Sequence, residues 1–541
     1  MSGVFMPSSA ETIATQLRTL VAGWVASRVW QKDTSLWPRE SAGAEPAAEI
    51  MGWLELPDIL SAVAPKLTEF AAKLRSEGIE DAVVLGMGGS SMTPEMLRVI
   101  FPPQAGAVRL HVLDTVNPGT IGPVTGALDL QRTLFIVASK SGTTVEPLSL
   151  EKHFRAALAS KGVPDPARHF IAISDERTPL TRRAESGEFR AHFSPPADVG
   201  GRFSALTAFG MFPAALLKLD VALIQQSAHG MAERCRDDSE NNPGLQLGAV
   251  LGASAVAGRD KVTLVTSPGL ERFGLWAEQL LAESTGKNGK GLIPVANEPL
   301  CDPGRYGNDR NFIYLRLERA DNGETDRFAA AMERNGHPVT TLQMTSLYDI
   351  GAEFFRWEFA TAVAGHVIGI FPFDQPDVNA AKDRAREILG SGTLAASGPS
   401  LTPAEALTEL LKAPETGDYV AIGAFVPESA QLSAAFAGLR AAITRRTGMA
   451  TTFGYGPRYQ HSIGQLYKGG PDSIRFLGLI SHGSGDLQVP GEQYTLGALT
   501  PAQAYGDFEV MRDTGRRIQT GVLGKNPVAE IKALAADLNE A

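Results

Sequence analysis

The sequence predicts an α/β protein with two parallel-sheet units followed by a C-terminal α+β region, and three observations support this. From Asp81 onward, short apolar runs rich in β-branched residues alternate with helical stretches. Several of these runs end in turns rich in Gly, Ser or Thr, and the whole alternation occurs twice before the composition changes after Lys382. Such alternation indicates parallel βαβ units with ligand-binding loops at the carboxyl ends of the strands.

The chain divides on this pattern into four segments. We expect a mostly helical N-terminal segment (1–78), a first α/β domain (79–235), a second α/β domain (236–395) and the α+β region (396–541). The expected strands of the first domain are AVVLGMGG, VRLHVLDT, TLFIVASKSGTT and HFIAISD, and those of the second are KVTLVTSP, GLIPVAN, FIYLRL and VTTLQM. The stretch LGSGTLAASGPSLTPAE predicts a linker. The C-terminal region is expected to contain the strands YVAIGAFV, MATTFGYGPRY and IRFLGLIS and a long helix over 428–447.

Composition narrows the function classes. The 541 residues carry a formal net charge of -10, which argues against general binding of nucleic acid or anionic membranes, so an anionic substrate needs a local basic pocket. Two cysteines, Cys235 and Cys301, do not make a disulfide framework and fit a reducing cytoplasm. The N-terminal residues lack a leader pattern, and no apolar run approaches the ~20 residues that span a bilayer. We therefore expect a cytoplasmic protein without membrane or nucleic-acid partners.

The first candidate site is the turn in VVLGMGGSSMTPE. Its glycines let the backbone approach a ligand, and Gly89, Ser90 and Ser91 precede or begin a predicted helix, an arrangement suited to phosphate. A dinucleotide-binding turn is the rival interpretation, because Asp114 closes the next strand-like run. However, Ser91 occupies the position of the third glycine of that fingerprint. A plain strand-to-helix turn is the remaining alternative.

The second candidate is the loop in FIVASKSGTTVEP. It gathers four hydroxyls, one glycine and one cation at the start of a predicted helix: Ser139, Lys140, Ser141, Thr143 and Thr144. A phosphate monoester is bound well by hydroxyls, backbone amides and the positive end of a helix dipole. Simple helix capping needs one such residue rather than four, so the loop favours an anion site.

Three further stretches carry candidate residues. In DVGGRFS, Gly201 precedes Arg202, whose guanidinium suits a phosphate or an enolate oxygen, although a surface arginine after a turn is the plainer alternative. In EQLLAESTGKNGK, partial burial of Glu283 could raise its pKa and make it a base, or it could be an ordinary acid on a helix surface. In FDQPDVNAAK, Gln375 and Lys382 could face a ligand, or the stretch could simply begin a helix.

Together, in this order, the five stretches resemble the phosphoglucose isomerase family, whose members contain two sugar-isomerase α/β domains. The matching motifs are GMGGSS, SKSGTTVE, GGRFS, ESTGK and FDQPDVNAAK, spread over about residues 80–390. The C-terminal stretch GYGPRYQHSIGQLYKGGP is similar to the isomerase half of transaldolase–phosphoglucose isomerase fusion proteins. A transaldolase half would need a further (β/α)8 barrel of roughly 250 residues, for which this chain has no room.

The resemblance implies a reaction and a set of roles. It implies reversible isomerisation of glucose 6-phosphate and fructose 6-phosphate through a cis-enediol, in glycolysis and gluconeogenesis, with no cofactor or metal. Glu283 would move the proton between C1 and C2, Arg202 would stabilise the negative intermediate, and Lys382 would help to open the sugar ring. The substrate contacts would be made by Gly89, Ser90, Ser139, Lys140, Ser141, Thr143, Thr144, Gly201 and Gln375. The family commonly forms homodimers, so we expect one here.

One departure from the family pattern concerns the ring-opening histidine. At about the position where the family has it, this sequence has Met332, and His337 lies close by. His461, in YQHSIGQLYKGG, is the slightly preferred candidate because polar side chains surround it in sequence, although a structural turn is about equally compatible. The resemblance implies that Glu146 orients whichever histidine acts. His366 lies in an apolar helical stretch and is expected to be a core residue.

Other classes of protein remain as alternatives. A non-catalytic sugar-phosphate sensor would need the hydroxyl loops but neither Glu283 nor Arg202, and both are present. An amidotransferase would need an N-terminal cysteine, whereas the first cysteine is Cys235. No cluster of histidines and carboxylates stands out in the sequence, which disfavours a metal-dependent isomerase.

Overall fold

The computed structural model describes residues 10–38, 50–391, 401–481, 483 and 485–540, and within these ranges the strands form three parallel sheets. The boundary expected between residues 395 and 396, and much of the expected linker, lie outside the described residues. In the part of the chain that is described, no helix combines the length and apolar character needed to cross a membrane.

The first sheet has five strands in the order β2-β1-β3-β4-β5, which places β3 at its centre, between β1 and β4. All three of these strands are buried along their whole length, which explains their largely apolar sequences. β5 is only three residues long, and the sequence did not predict it. The strands are β1 Asp81–Gly86, β2 Arg109–Leu113, β3 Thr133–Ala138, β4 Phe170–Ile173 and β5 Ala191–Phe193.

The second sheet has four strands in the order β7-β6-β8-β9. Its pairings are all parallel, as in the first sheet, so the predicted pair of similar α/β units is present. The strands are β6 Lys261–Thr266, β7 Ile293–Val295, β8 Arg310–Leu317 and β9 Val339–Met344.

The C-terminal region differs from the expectation. It contains a third parallel sheet in the order β11-β10-β12-β13, so this region is α/β rather than α+β. Three of its strands were predicted; the fourth, β13, has the mixed sequence RIQTGVL, which shows no continuous apolar run. The strands are β10 Tyr419–Phe425, β11 Ala450–Tyr455, β12 Ile474–Ser481 and β13 Arg517–Leu523.

Helices cover the faces of the three sheets. Within residues 10–38 and 50–78 the N-terminal segment is mostly helical, as expected, and the long helix predicted over 428–447 is present as α16. In chain order they are α1 Ala10–Ala22, α2 Val25–Trp30, α3 Leu56–Ser76, α4 Gly89–Ile100, α5 Pro118–Ala127, α6 Val145–Ser160, α7 Pro179–Arg183, α8 Ala208–Leu216, α9 Val221–Arg234, α10 Pro243–Val256, α11 Glu271–Thr285, α12 Gly323–Arg334, α13 Ile350–Ile368, α14 Asn379–Ser391, α15 Pro403–Leu410, α16 Ala430–Thr447, α17 Gly464–Gly469, α18 Leu496–Asp513 and α19 Pro527–Glu540.

An aromatic cluster ties the N-terminal segment to two loops of the first two units. The ring of Trp53 stacks on Phe203 with their centroids 5.4 Å apart, and Phe203 contacts Phe373 at 5.8 Å. Trp37 meets Phe373 edge-on at 5.1 Å. Since Phe203 follows Arg202 directly, this packing holds the arginine and the loop around residue 374 in a fixed relation.

The third sheet contacts both of the others through buried arginines. Arg458, after β11, forms an ion pair with Asp114 at the end of β2 (2.7 Å). Arg440 of α16 donates to the carbonyls of Ala296 and Asn297, which follow β7. Asp114, on which the dinucleotide-binding alternative was based, is thus engaged in an ion pair between units.

The start of α4 packs against the loop around Gly201, and this contact leaves no room for a side chain at Gly89. A Cβ built at Gly89 would lie 1.9 Å from the carbonyl oxygen of Gly201. We therefore expect Gly89→Ala to lower the free energy of unfolding by about 1–3 kcal/mol, the usual cost of overpacking. Denaturant unfolding measures this. The matched control is Gly122→Ala in α5, where a Cβ would meet nothing within 4 Å, and which is expected to be neutral or slightly stabilising. Equal stability of the two variants would contradict the prediction.

Candidate active site

A cavity of about 400 Å³ lies at the carboxyl ends of β1 and β3 and extends to α11, α14 and the segment that follows β11. Parallel sheets commonly bind ligands at this edge. The structure brings eleven of the predicted site residues to its wall: Gly89, Ser90, Ser139, Lys140, Ser141, Thr144, Gly201, Glu283, Gln375, Lys382 and His461. An adjoining cavity of about 320 Å³ shares several of these residues and is also lined by Thr143 and Glu146.

Two helices begin at this cavity. α4 starts at Gly89 after Gly88, whose φ of +56° is readily adopted only by glycine, and α6 starts after Thr144 at the end of β3's loop. The hydroxyls of the loop bond one another: Ser139 Oγ lies 2.9 Å from Thr144 Oγ1, and Ser141 Oγ lies 2.9 Å from Thr143 Oγ1. The first turns of two helices and the hydroxyls of the loop thus meet at one cavity, which favours an anion.

Lys140 also lines the cavity, but other protein groups engage it. Its ammonium pairs with Asp175 and donates to the carbonyl of Ala197 at 3.1 Å. Burial raises the pKa of the Asp175 carboxyl, and the lysine acts against this rise. The cation of the loop is therefore paired with a carboxylate, whereas the loop hydroxyls line the cavity and can exchange their bonds with one another for bonds to a ligand.

Glu283 lies near the end of α11 and faces Arg202. Their closest atoms, Arg202 Nη1 and Glu283 Oε1, are 3.4 Å apart, and the two side chains are 3% and 12% exposed. The other carboxylate oxygen accepts a hydrogen bond from Gln279 Nε2 at 3.0 Å. A carboxylate held at both oxygens in this way is oriented before any ligand arrives.

Arg202 is held by neutral acceptors in addition to Glu283. Its Nε donates to Ser284 Oγ (2.7 Å) and its Nη2 to the carbonyl of Pro372 (2.8 Å). Burial lowers the pKa of the guanidinium, while the charges of Glu283 and Asp374 act in the opposite direction. Nearby, Lys287 donates to the Asp374 carboxylate at 2.6 Å, and burial together with the charge of Arg202 lowers the pKa of Lys287 to about 8. Positive charge is therefore concentrated beside Glu283.

His461 enters the cavity from the C-terminal region. Its Nε2 lies 2.9 Å from Glu146 Oε1, and the same oxygen accepts a hydrogen bond from Gln503 at 2.6 Å. Burial alone would raise the pKa of the Glu146 carboxyl, but the contacts with His461 and Gln503 outweigh it and lower the pKa. The other ring nitrogen, Nδ1, has no hydrogen-bond partner among the described residues. The imidazole is thus fixed on one side and free on the other.

Lys382 and Gln375 complete the wall. The Lys382 side chain is exposed to the cavity, and within the described ranges its ammonium forms no ion pair or hydrogen bond. Gln375 Oε1 accepts a long hydrogen bond from Arg202 at 3.4 Å.

His337 lies elsewhere, which corrects the prediction that named it as an alternative ring-opening histidine. It precedes β9, at the amino end of the second sheet, and its ring packs edge-on against Phe312 at 5.5 Å. Burial and the nearby Arg259 and Arg310 lower its pKa to about 4. His366 Nδ1 donates a hydrogen bond to the carbonyl of Leu36 (2.6 Å), and the residue is half-buried rather than in the core as expected.

Three site residues were not predicted from the sequence: Gln279, Asp175 and Gln503. Gln279 lies four residues before Glu283 on the same helix, a spacing that places two side chains next to each other and could have indicated it. Asp175 closes the run HFIAISD, the strand next to β3, which is a similar signal. Gln503 lies in α18, and nothing in its local sequence indicates that it belongs to the site. In the described part of the chain, no three His, Cys, Asp or Glu side chains are grouped so as to hold a metal ion.

Solved structures support the fold. A hypothetical protein from Thermus thermophilus aligns with a TM-score of 0.59 at 24% identity, covering 71% of this chain and 98% of that chain. A glucose-6-phosphate isomerase from Chlamydia trachomatis aligns with a TM-score of 0.52 at 20% identity, covering 74% of this chain and 86% of that chain. At these identities the likeness concerns the α/β architecture alone.

Sequence comparisons are more specific. Residues 59–292 match the family model described as phosphoglucose isomerase, a range that contains Arg202 and Glu283 but not His461. A glucose-6-phosphate isomerase of Rubrobacter xylanophilus is 30% identical over 384 residues, 61% of this chain and 87% of the relative. One from Symbiobacterium thermophilum is 29% identical over 394 residues, 64% of this chain and 88% of the relative. The chain belongs to the phosphoglucose isomerase family.

Proposed function

We propose that this protein interconverts glucose 6-phosphate and fructose 6-phosphate through a cis-enediol intermediate, as a step of glycolysis and gluconeogenesis. Relatives that cover most of their own length in the alignment carry the name glucose-6-phosphate isomerase. The observation that carries the proposal is the Glu283 carboxylate, which lines a cavity bounded by two helix N-termini and has the buried Arg202 guanidinium 3.4 Å beside it.

The phosphate would lie where α4 and α6 begin. Both helices are long enough, at 12 and 16 residues, to present the partial positive charge of their N-termini. Ser90, Ser139, Ser141 and Thr144 would supply hydroxyl donors, and Gly89 lets the backbone come close. Because Lys140 is bound to Asp175, we assign it the role of positioning the loop rather than contacting the phosphate.

Proton transfer would be carried by Glu283. Its carboxylate would take the proton from C2 of the aldose and return it at C1, while a second proton passes from the oxygen on C2 to the oxygen on C1. These transfers generate and then consume the enediol. A C–H bond next to a carbonyl is too weak an acid for a carboxylate unaided, so several kcal/mol of stabilisation must come from fixed positive charge. Arg202 is placed to supply this charge to the developing oxyanion, from a site where burial keeps water away.

Ring opening must precede this step, because the substrates exist mainly as closed rings. His461 and Lys382 would act together: one group takes the proton of the O1 hydroxyl, and the other donates a proton to the ring oxygen as the C1–O5 bond breaks. Glu146 and Gln503 hold the His461 imidazole in place, leaving Nδ1 for the sugar. The C-terminal region would then contribute a catalytic residue to a site otherwise built by the first two units.

The experiment that tests the proposal is a coupled assay of the purified protein, in which fructose 6-phosphate conversion is followed through added glucose-6-phosphate dehydrogenase. Calorimetric binding of 5-phosphoarabinonate, an analogue of the intermediate, is measured alongside. Turnover with binding supports the isomerase. Binding without turnover would instead favour the sugar-phosphate sensor, and the absence of both would overturn the assignment of the cavity.

His461→Gln is expected to lower kcat for fructose 6-phosphate by about 10²-fold, toward the lower end of the range for general acid–base catalysis, because rings also open without the enzyme. Steady-state kinetics in both directions measure this. His337→Gln is the matched control, since that residue lies outside the cavity, and it is expected to leave kcat unchanged. Retained kcat in His461→Gln would remove this histidine from the mechanism.

Four further proposals concern context. The sheets support domains close to 79–235, 236–395 and 396–541, preceded by the helical segment 1–78. We assign the C-terminal region a relationship to the isomerase half of transaldolase–phosphoglucose isomerase fusions. A cytoplasmic location and a homodimer are the expectations that follow from the family resemblance.

A further inference from the structure

A second cavity, of about 500 Å³, lies between the second and third sheets. It is lined by the carboxyl ends of β6 and β11 and by the residues that follow β7, and α11 and α16 form its sides. Two parallel sheets thus present their carboxyl ends to one space, the position where such sheets bind ligands. Its volume is within the range of small-molecule sites and exceeds that of the candidate active site.

Seven charged side chains line this cavity, four acidic and three basic: Glu271, Glu278, Glu298, Glu428, Arg272, Arg440 and Arg458. Most of them are engaged by protein groups. Arg458 binds Asp114 and Glu428, and Glu298 binds Arg310 at 2.9 Å. These pairs neutralise one another and leave little charge for a ligand.

Arg440 is also engaged, although by neutral groups. Its guanidinium donates to the carbonyls of Ala296, Asn297 and Thr451, at 2.6–2.9 Å. These contacts fix it in the wall of the cavity, and no ion pair joins it to Glu278 in the described structure. Arg272, at the rim, reaches Glu95 only at 3.8 Å.

Glu278 is the exception among the acids. It is 4% exposed, lines the cavity, and has neither a hydrogen bond nor an ion pair within the described residues. Burial raises the pKa of its carboxyl to about 8, with the charge of Arg440 acting in the other direction. A buried carboxyl without a partner is costly to ionise, and a cation that paired with it would offset this cost.

The remaining surface of the cavity suits an apolar body. Leu264, Leu275 and Phe453 line it, and Leu300 at its mouth is 38% exposed. The Asn297 side chain, also at the mouth, is exposed and forms no hydrogen bond in the described ranges. A ligand here would meet one acid deep in the cavity, apolar walls and an amide near the entrance.

We propose that this cavity binds a small organic amine, whose ammonium group pairs with Glu278 and whose apolar body packs against Leu275 and Phe453. A cation is favoured over an anion because an ammonium would give the partnerless Glu278 carboxylate the counter-charge it lacks, and its binding would in turn lower the pKa of that carboxyl. An aromatic ring such as Phe453 adds a face that attracts cations.

Calorimetric titration of the full chain with tyramine tests the proposal. The comparison ligand is 2-(4-hydroxyphenyl)ethanol, which has the same body with a hydroxyl in place of the ammonium. Tyramine is expected to bind, and the alcohol is expected to bind roughly 10- to 100-fold more weakly, the fold-change that a charge-assisted hydrogen bond supplies. No binding of tyramine at millimolar concentration, or equal binding of both compounds, would overturn the proposal.

Variants locate the binding. Glu278→Gln is expected to weaken tyramine binding by the same roughly 10- to 100-fold, whereas Glu271→Gln, on the same helix at the rim, is expected to leave it nearly unchanged. Unaltered binding to Glu278→Gln would overturn the assignment. The titration is repeated with 5-phosphoarabinonate present. Loss of tyramine binding under this condition would show that the amine binds in the candidate active site, and it would overturn the assignment to the second cavity. If Glu278→Gln does not fold, the comparison of tyramine and the alcohol on the wild-type protein still tests the proposal.

Ligand binding in this cavity is expected to change the kinetics of the active site. This expectation rests on the proposed isomerase function. Glu278 is adjacent in sequence to Gln279, which donates to both Glu283 and the carbonyl of His461. Ser462 lines both cavities. Saturating tyramine is therefore expected to change KM or kcat for fructose 6-phosphate in the wild type but not in Glu278→Gln. Unchanged kinetics with intact binding would overturn this coupling, and the calorimetric result stands whether or not the protein isomerises sugars.

Discussion

Replacing Glu283 with glutamine is expected to lower kcat for fructose 6-phosphate by about 10²–10⁴-fold, the usual contribution of general acid–base catalysis. Glutamine has nearly the shape of glutamate, so it can still accept the hydrogen bond that Gln279 donates and can remain beside Arg202. It cannot take a proton from carbon. The variant therefore removes the proton transfer while the cavity keeps its form.

The coupled assay measures this loss, and calorimetry with 5-phosphoarabinonate shows whether binding survives. Glu271→Gln is the matched control, because it is the same substitution on the same helix, at an exposed position outside the candidate active site. We expect that control to turn over like the wild type. A Glu283→Gln variant with wild-type kcat, or a control that loses as much activity as Glu283→Gln, would contradict the role of Glu283 as the proton carrier.

The candidate site could largely be predicted from the sequence because its loops follow buried strands. Gly89, Ser139 and Ser141 come directly after apolar runs, and the carboxyl ends of neighbouring parallel strands meet at one edge of a sheet. Glu283 and Arg202 were identified from local motifs for the same reason. In these cases one short stretch of sequence contains both the strand or helix that positions the site and the side chains that act in it.

Contacts between distant parts of the chain could not be predicted in this way. Glu146 and His461 are 315 residues apart, and Glu146 and Gln503 are 357 apart. Only the packing of the third sheet against the first brings them together, and no local pattern specifies that packing. The same limit explains why His337 was considered as the ring-opening histidine. It lies near the expected position in the sequence, but in the structure it lies at the amino end of the second sheet, away from the cavity.

The architecture of the C-terminal region was missed for a different reason. Two of its elements have weak local signals: β13 has a mixed polar and apolar sequence, and α18 contains Pro501. Without them, three strands and one long helix did not indicate a parallel sheet. Recognising that this region is α/β matters for function, because the segment after β11 then follows the carboxyl end of a strand, and His461 occupies the same kind of position as Ser139.

Replacing Arg202 with lysine is expected to lower kcat by about 10²–10³-fold, the typical cost of losing one group that stabilises an oxyanion. Lysine keeps the charge but not the planar fork, so it cannot maintain the bonds to Ser284 and Pro372 while facing Glu283. The oxyanion would then meet a charge that is neither fixed nor correctly placed. A buried acceptor left without a donor also costs about 1–3 kcal/mol, so the free energy of unfolding is expected to fall by at least this amount.

Two measurements separate these effects for Arg202. Denaturant unfolding gives the loss of stability, and kcat at a temperature where the variant is fully folded gives the loss of catalysis. Ser284→Ala is the matched control, because it removes only the acceptor of the Nε bond and leaves the guanidinium in place. We expect that control to lose stability but to retain most of kcat. If the folded Arg202→Lys variant kept wild-type kcat, the arginine would be a structural residue that supports the 372–375 loop. The charge that stabilises the intermediate would then have to come from Lys287, whose pKa of about 8 leaves it mostly protonated at neutral pH.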